Sequence, residues 1–114
     1  MKIIDLHSHT HYSADACSAP ESLIEKAIAG GVEMLGITDH NYWFEDRIAQ
    51  YIHEISALKR RYKGYIELLC GMEIRTVPRS ASLAPALLAD FDFCIFENVG
   101  HPSQSFEDFL AYRK

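Results

Sequence analysis

Long apolar runs are missing from this 114-residue chain. None approaches the roughly 18–20 residues that a membrane span needs, so no membrane partner is expected. The opening MKIIDLHSHT has no apolar signal-peptide core before its first charge and its histidines. Cysteine is scarce: Cys17, Cys70 and Cys94 are an odd number without paired spacing. They read as reduced thiols of a cytoplasmic protein, not as a disulfide framework. Basic charge is outweighed, with 11 Lys and Arg against 16 Asp and Glu and a net charge of −5. That sign disfavours nonspecific nucleic-acid binding while leaving room for a local patch. Length is short as well. A closed eight-unit (β/α) barrel takes roughly 250 residues, about 30 per unit, so this chain holds about four units. No repeat, linker or low-complexity stretch interrupts it, and 48% hydrophobic against 24% charged residues is a globular balance.

What is present is an alternation of short apolar runs and amphipathic segments. Residues 2–9 (KIIDLHSH) read as a strand. Ser18 and Glu21 form a capping box, with Pro20 in the first helical turn. Leu23, Ile24, Ala27 and Ile28 share an apolar face, and Gly30-Gly31 stops the helix. Residues 34–38 are a second strand. Residues 45–63 are a long helix with Ile48, Tyr51, Ile52, Ile55, Leu58 and Tyr62 at helical spacing. Its basic last turn (Lys59, Arg60, Arg61, Lys63) suits the negative helix end; the alternative is a phosphate or nucleic-acid patch. Residues 65–70 form a third strand, 82–89 a short helix, 91–97 a fourth strand, and a capped helix begins near Ser105. This order implies an α/β fold with parallel strands and right-handed crossovers. The runs Ile3, Ile4 and Leu6, then Met34, Leu35 and Ile37, then Phe93 to Phe96 are apolar on both faces or nearly so. Four such strands cannot close a barrel. An exposed seam is therefore expected, with homo-oligomerisation through a strand edge or a truncated larger fold as its outcomes.

The chemistry-bearing residues fall at the strand ends, where parallel α/β folds build their sites. Simple alternation puts Asp5, His7 and His9 on one strand face. Two imidazoles two residues apart can share an ion, and a neighbouring carboxylate (Asp5, or Asp39 beside His40) can orient a ring. The second strand ends in Thr38-Asp39-His40 and the third in Gly71-Met72-Glu73, where Gly71 would let the backbone turn into the site. Gly100-His101 follows the fourth, and Asp15 lies in the first loop. Arg75, two residues past Glu73, is the candidate phosphate-holding residue, with a surface ion pair as its plainer role. His11 and His53 read as ordinary surface or core histidines, and Cys70 and Cys94 as packing. Cys17 is a candidate soft ligand among harder carboxylates. Tyr42, Trp43 and Phe44 read either as a stacking lid or as a staple for the long helix.

Asp5-x-His7-x-His9, Tyr12-Ser13-x-Asp15, Thr38-Asp39-His40 and Gly71-x-Glu73 together resemble the PHP family, the polymerase and histidinol phosphatase domains. The resemblance is dense over residues 1–73 and looser beyond. It implies the N-terminal part, about four βα units, of a distorted seven-stranded (β/α) barrel. It also implies up to three Zn, Mn or Fe ions and hydrolysis of a phosphorylated small molecule by a metal-activated water. By the motif, His7 and His9 would hold one ion, Glu73 would bridge it to a second that His101 joins, and Asp15 and His40 would serve a third. The family draws further ligands from later strands, a His and then an Asp-x-His pair, whereas no histidine follows His101 here. The domain over 1–114 is therefore expected to be truncated at its C-terminus and weakly active by itself.

Two rival readings remain. An amidohydrolase-type metal hydrolase also begins with His-x-His, but takes its other ligands mainly from strands 4 to 8. A non-catalytic metal-binding or structural module is the rival of another class.

Overall fold

The computed structural model describes residues 1–40, 45–75 and 90–97. The expected helices at 82–89 and after Ser105, the aromatic run Tyr42 to Phe44, His101 and the side chain of Arg75 lie outside the described residues. The elements in chain order are β1 (Ile4–Ser8), α1 (Pro20–Ala29), β2 (Met34–His40), α2 (Ile48–Arg61), β3 (Glu67–Arg75) and β4 (Phe93–Glu97), with a single 3₁₀ turn at Glu45–Arg47 leading into α2. The strands form one sheet in the order β1-β2-β3-β4, and every pairing is parallel. No described helix is long and apolar enough to cross a membrane.

Register assigns the two faces. Leu35, Ile37 and Asp39 of β2 stand beside Leu68, Cys70 and Met72 of β3, and Met72 and Ile74 beside Cys94 and Phe96 of β4. This is the face that the helices cover. Ile48, Tyr51, Ile55 and Leu58 are the buried residues of α2, at offsets of 3, 4 and 3 along one stripe. From α1, Ile24 is fully buried while Leu23, Ala27 and Ile28 pack at its margin. The opposite face carries Gly36, Thr38 and His40, then Gly71 and Glu73, then Phe93, Ile95 and Glu97.

Three local expectations change. The helix start is not a Ser18–Glu21 capping box: the cap residue is Ala19, without a side-chain hydrogen bond. Pro20 excludes helical backbone from the residue before it, so Ala19 stays extended at φ −62°, ψ 149° and becomes the boundary. The third strand runs from Glu67 through Arg75, not from 65 to 70, because the Gly71–Arg75 stretch continues the ladder onto β4. Gly71 is therefore no turn. A Cβ there would stand 2.8 Å from the Phe93 ring and 2.9 Å from Thr38 Cγ2, so glycine lets Phe93 lie flat across the sheet.

The third change is in β1. Asp5 pairs with Leu35 but Ser8 with Ile37, three steps along β1 against two along β2. One extra residue in a strand exchanges its faces. Simple alternation of Asp5, His7 and His9 is thus broken: Asp5 keeps step with Leu35, whereas His7 beyond the irregularity reaches the Glu73 side. The Thr38 hydroxyl bridges the break, accepting from the Ser8 amide and donating to the Ser8 carbonyl, both at 3.2 Å. Ser8 Oγ donates to the Gly36 carbonyl at 2.7 Å.

Candidate metal centre

Three consecutive strand ends and one loop meet at the C-terminal rim. In-register pairing brings His40 of β2 directly beside Glu73 of β3. Glu73 Oε1 lies 3.2 Å from His7 Nε2, and its Oε2 lies 2.9 Å from His9 Nε2 and 3.0 Å from His40 Nδ1. Asp15 closes the other side, with its carboxylate 3.2 Å from His9 Nδ1 and 3.2 Å from His40 Nε2. The His9 and His40 rings, centroids 4.3 Å apart, therefore each stand between Glu73 and Asp15. Burial pushes the Asp15 carboxyl up, but the neighbouring imidazoles outweigh it and hold it below the usual carboxylate range.

Among the described residues, two sets of donors could hold an ion. His7, His9 and Glu73 form one, and His9, Asp15 and His40 the other, each with its ligand atoms within 4.8 Å of one another. Imidazole nitrogens with carboxylate oxygens suit Zn, Mn or Fe. A second observation tests the fit: His9 Nε2 and Glu73 Oε2 are buried and 2.9 Å apart, yet neither makes a hydrogen bond. A buried polar atom in that condition is costly unless something else satisfies it, and a shared cation does so. His9 belongs to both sets. A neutral imidazole lends one lone pair and donates one N–H, so His9 can face an ion with one nitrogen while the other donates to a carboxylate.

Asp39 and Asp5, the candidate ring-orienting carboxylates, take backbone and hydroxyl partners. Asp39 is fully buried and accepts from the Thr10 amide (2.6 Å), the Thr10 hydroxyl (2.7 Å) and the Ser13 hydroxyl (2.7 Å). Ser13 Oγ in turn accepts from the His40 amide at 2.9 Å. Asp39 thus pins the loop between His9 and Asp15 against β2. Asp5 Oδ1 accepts from the His7 amide at 3.0 Å. Thr10 and Ser13 drew no separate role from the sequence; the signal available was their place inside the His9 to Asp15 motif. Glu97 was missed too. Its Oε2 lies 3.5 Å from His40 Nδ1, and its only sequence mark was an acidic residue at a strand end.

The remaining candidates separate from the centre. Cys17 is exposed and belongs to neither donor set. Burial raises the Cys70 thiol to about 12 and the Cys94 thiol to about 11, so both stay protonated and serve packing. In the basic turn, Lys59 pairs with Asp92 at 2.8 Å and Arg61 with Glu21 at 2.8 Å, which commits two of its four cations to the fold.

A parallel α/β sheet whose strand tips gather His, Asp and Glu defines the class of α/β folds with a candidate metal centre at the C-terminal rim. The family model described as the PHP domain matches residues 5–109, and the chain belongs to the PHP family. A histidinol-phosphatase of Lactococcus lactis is 32% identical over 103 residues, covering 83% of this chain and 38% of that protein. The 5'-3' exoribonuclease Rnm of Escherichia coli is 43% identical over 75 residues, covering 66% of this chain and 23% of its own length. Among solved structures, Lactococcus lactis histidinol phosphate phosphatase, complexed with zinc, L-histidinol and phosphate, superposes with a TM-score of 0.65 at 29% identity. That match covers 83% of this chain and 39% of the other, so the four strands correspond to a curled part of a TIM-like barrel. The chain spans less than two fifths of the length of the histidinol phosphatases it resembles. The family match sets aside the amidohydrolase-type alternative.

Proposed function

We propose that this chain carries a metal-dependent phosphoesterase centre acting on a small phosphorylated ester. The observation behind it is the convergence of His7, His9, Asp15, His40 and Glu73, with His9 Nε2 and Glu73 Oε2 buried and lacking hydrogen bonds. Divalent Zn, Mn or Fe is the group these donors suit, and when bound it supplies a Lewis acid and a water of lowered pKa. The chain's residues then divide the work. His7, His9 and Glu73 hold the exposed side of the centre, where His7 is 57% exposed and open to a substrate. Asp15 accepts from His9 and His40 and fixes their ring orientation or, with them, holds a second ion. Arg75, last residue of β3, is the proposed phosphate clamp, and His101 a proposed further ligand. Asp39 acts at one remove by holding the loop that brings Asp15 to the rings.

Histidinol phosphate is the first substrate to test, because the Lactococcus lactis relatives act on or bind its components. The E. coli exoribonuclease favours a second substrate class, a nucleic-acid phosphodiester. Phosphate release from histidinol phosphate, an aryl phosphate and a short RNA, each with Mn²⁺ or Zn²⁺, separates the readings. Slow metal-dependent release from the monoesters, abolished by His9→Ala, is expected, well under the roughly 10 per second of ordinary enzymes. Preferential RNA hydrolysis would overturn the substrate class. Metal binding without hydrolysis of any of the three would leave a non-catalytic metal module.

A further inference from the structure

Glu97 stands where the motif placed no ligand. Glu73 pairs with Ile95 and Arg75 with Glu97, so Glu97 shares the inner face with Glu73, one side-chain step nearer the rim. Its side chain is 17% exposed, and Oε2 lies 3.5 Å from His40 Nδ1. The same nitrogen is 3.0 Å from Glu73 Oε2. One imidazole nitrogen therefore faces two carboxylates from adjacent strands, while the other nitrogen of that ring faces Asp15 at 3.2 Å. With the ring proton on Nε2 toward Asp15, Nδ1 turns a lone pair toward both glutamates. Separations of 3.0 and 3.5 Å are those of atoms sharing one cation. Bonds of about 2.0–2.2 Å at octahedral to tetrahedral angles put adjacent donors roughly 3.0–3.5 Å apart.

We propose that Glu97 supplies a third carboxylate to the centre, beside His40 and Glu73, and that it biases the centre from Zn²⁺ toward the harder Mn²⁺. The inference rests on the metal-centre reading above. Imidazole suits zinc, whereas carboxylate oxygen suits manganese, so each carboxylate added to an imidazole-rich set moves the preference the same way. Glu97 also adds a third negative charge to Asp15 and Glu73, whose ion-pairing partners among the described residues are imidazoles. A divalent cation is the group that relieves such crowding.

The test is calorimetric titration of the metal-stripped 114-residue chain with Mn²⁺ and, separately, Zn²⁺, alongside Glu97→Gln, Glu97→His and Glu97→Asp. Glu97→Gln is expected to weaken Mn²⁺ binding by at least about tenfold and Zn²⁺ binding by about threefold or less. Glu97→His should tip the ratio further toward zinc. Glu97→Asp, which keeps the charge, should stay close to the parent ratio. Thermal unfolding of the metal-free proteins supplies a readout independent of binding: Glu97→Gln should melt at or above the parent, since one like charge leaves the cluster. An unchanged Mn²⁺ to Zn²⁺ ratio in Glu97→Gln overturns the proposal and leaves the metal centre standing. Loss of the preference in Glu97→Asp as well as Glu97→Gln shows that packing sets it, and also overturns the proposal. A parent chain that binds neither ion overturns both readings together.

Discussion

The centre is assembled from two unlike kinds of strand. His40 and Glu73 come from β2 and β3, which are buried on both faces along most of their length. His7 comes from β1, whose residues Ile4 to His7 are all exposed, and which pairs with β2 alone among the described strands. One half of the donor set is thus fixed by the core before any ion arrives. The other half rests on a lightly packed edge and on a loop tied down by Asp39. Binding an ion would join the two, so metal should stabilise β1 far more than the sheet interior. Roughly 2.7 kcal/mol is available at a free-ion concentration of 100 Kd.

The most drastic way to break the comparison is to remove the residue that both donor sets share. His9→Ala should lower bound metal per chain by more than tenfold, read by elemental analysis, because the lost group is a donor and not an outer-shell partner. His53→Ala, at an exposed position of α2, should change nothing, and equal losses in the two would defeat the assignment. Next comes the core. Leu35→Ala at the buried centre of β2 should cost about 2–5 kcal/mol in denaturant unfolding. Gly71→Ala should cost about 1–3 kcal/mol, since its methyl meets the Phe93 ring and Thr38. Ile4→Thr at a half-exposed position on β1 keeps a β-branched side chain and should stay within about 0.5 kcal/mol. A β1 substitution as costly as Leu35→Ala would erase the contrast. In sedimentation the same exposed edge predicts self-association at micromolar concentration.

The smallest effect is electrostatic. Burial pushes the Asp92 carboxyl up, but hydrogen bonds from Lys59 Nζ and the Cys70 amide outweigh it and hold it below the usual carboxylate value. A depressed folded value contributes stability above about pH 3.9, lost as the pH falls through the lower folded value. Asp92→Asn should therefore flatten the fall in melting temperature between pH 5 and about pH 2. The change should be slight, because both partners are more than a third exposed.

How much of this was legible beforehand depends on whether a feature is local. The apolar stripe of α2 and the apolar run that marks each strand are local patterns, and they appear near where periodicity puts them, with β3 displaced toward Arg75. The start of α1 was misread because a capping box and a proline compete within three residues, and the steric demand of Pro20 wins. His7, His9, Asp15, His40 and Glu73 stood out because they fall inside short motifs that group histidines with carboxylates. Thr10, Ser13 and Glu97 did not, since hydroxyls and acids are common on any surface. Their roles follow only from register, Glu97 through the offset between β3 and β4 and Ser13 through a hydrogen bond across 26 residues to Asp39.

The irregular pairing in β1 has a consequence for how sequences of this kind can change. His7 reaches Glu73 because one residue more is spent on β1 than on β2 between Asp5 and Ser8. What matters there is a count. Leu6 is 41% exposed and can be exchanged for many side chains, but drawing β1 into strict step with β2 at unchanged length would set His7 opposite Ile37 and carry it to the far face. Among natural variants this short stretch should therefore drift freely in composition so long as the Ser8–Thr38 hydrogen bonds that hold the irregular pairing persist.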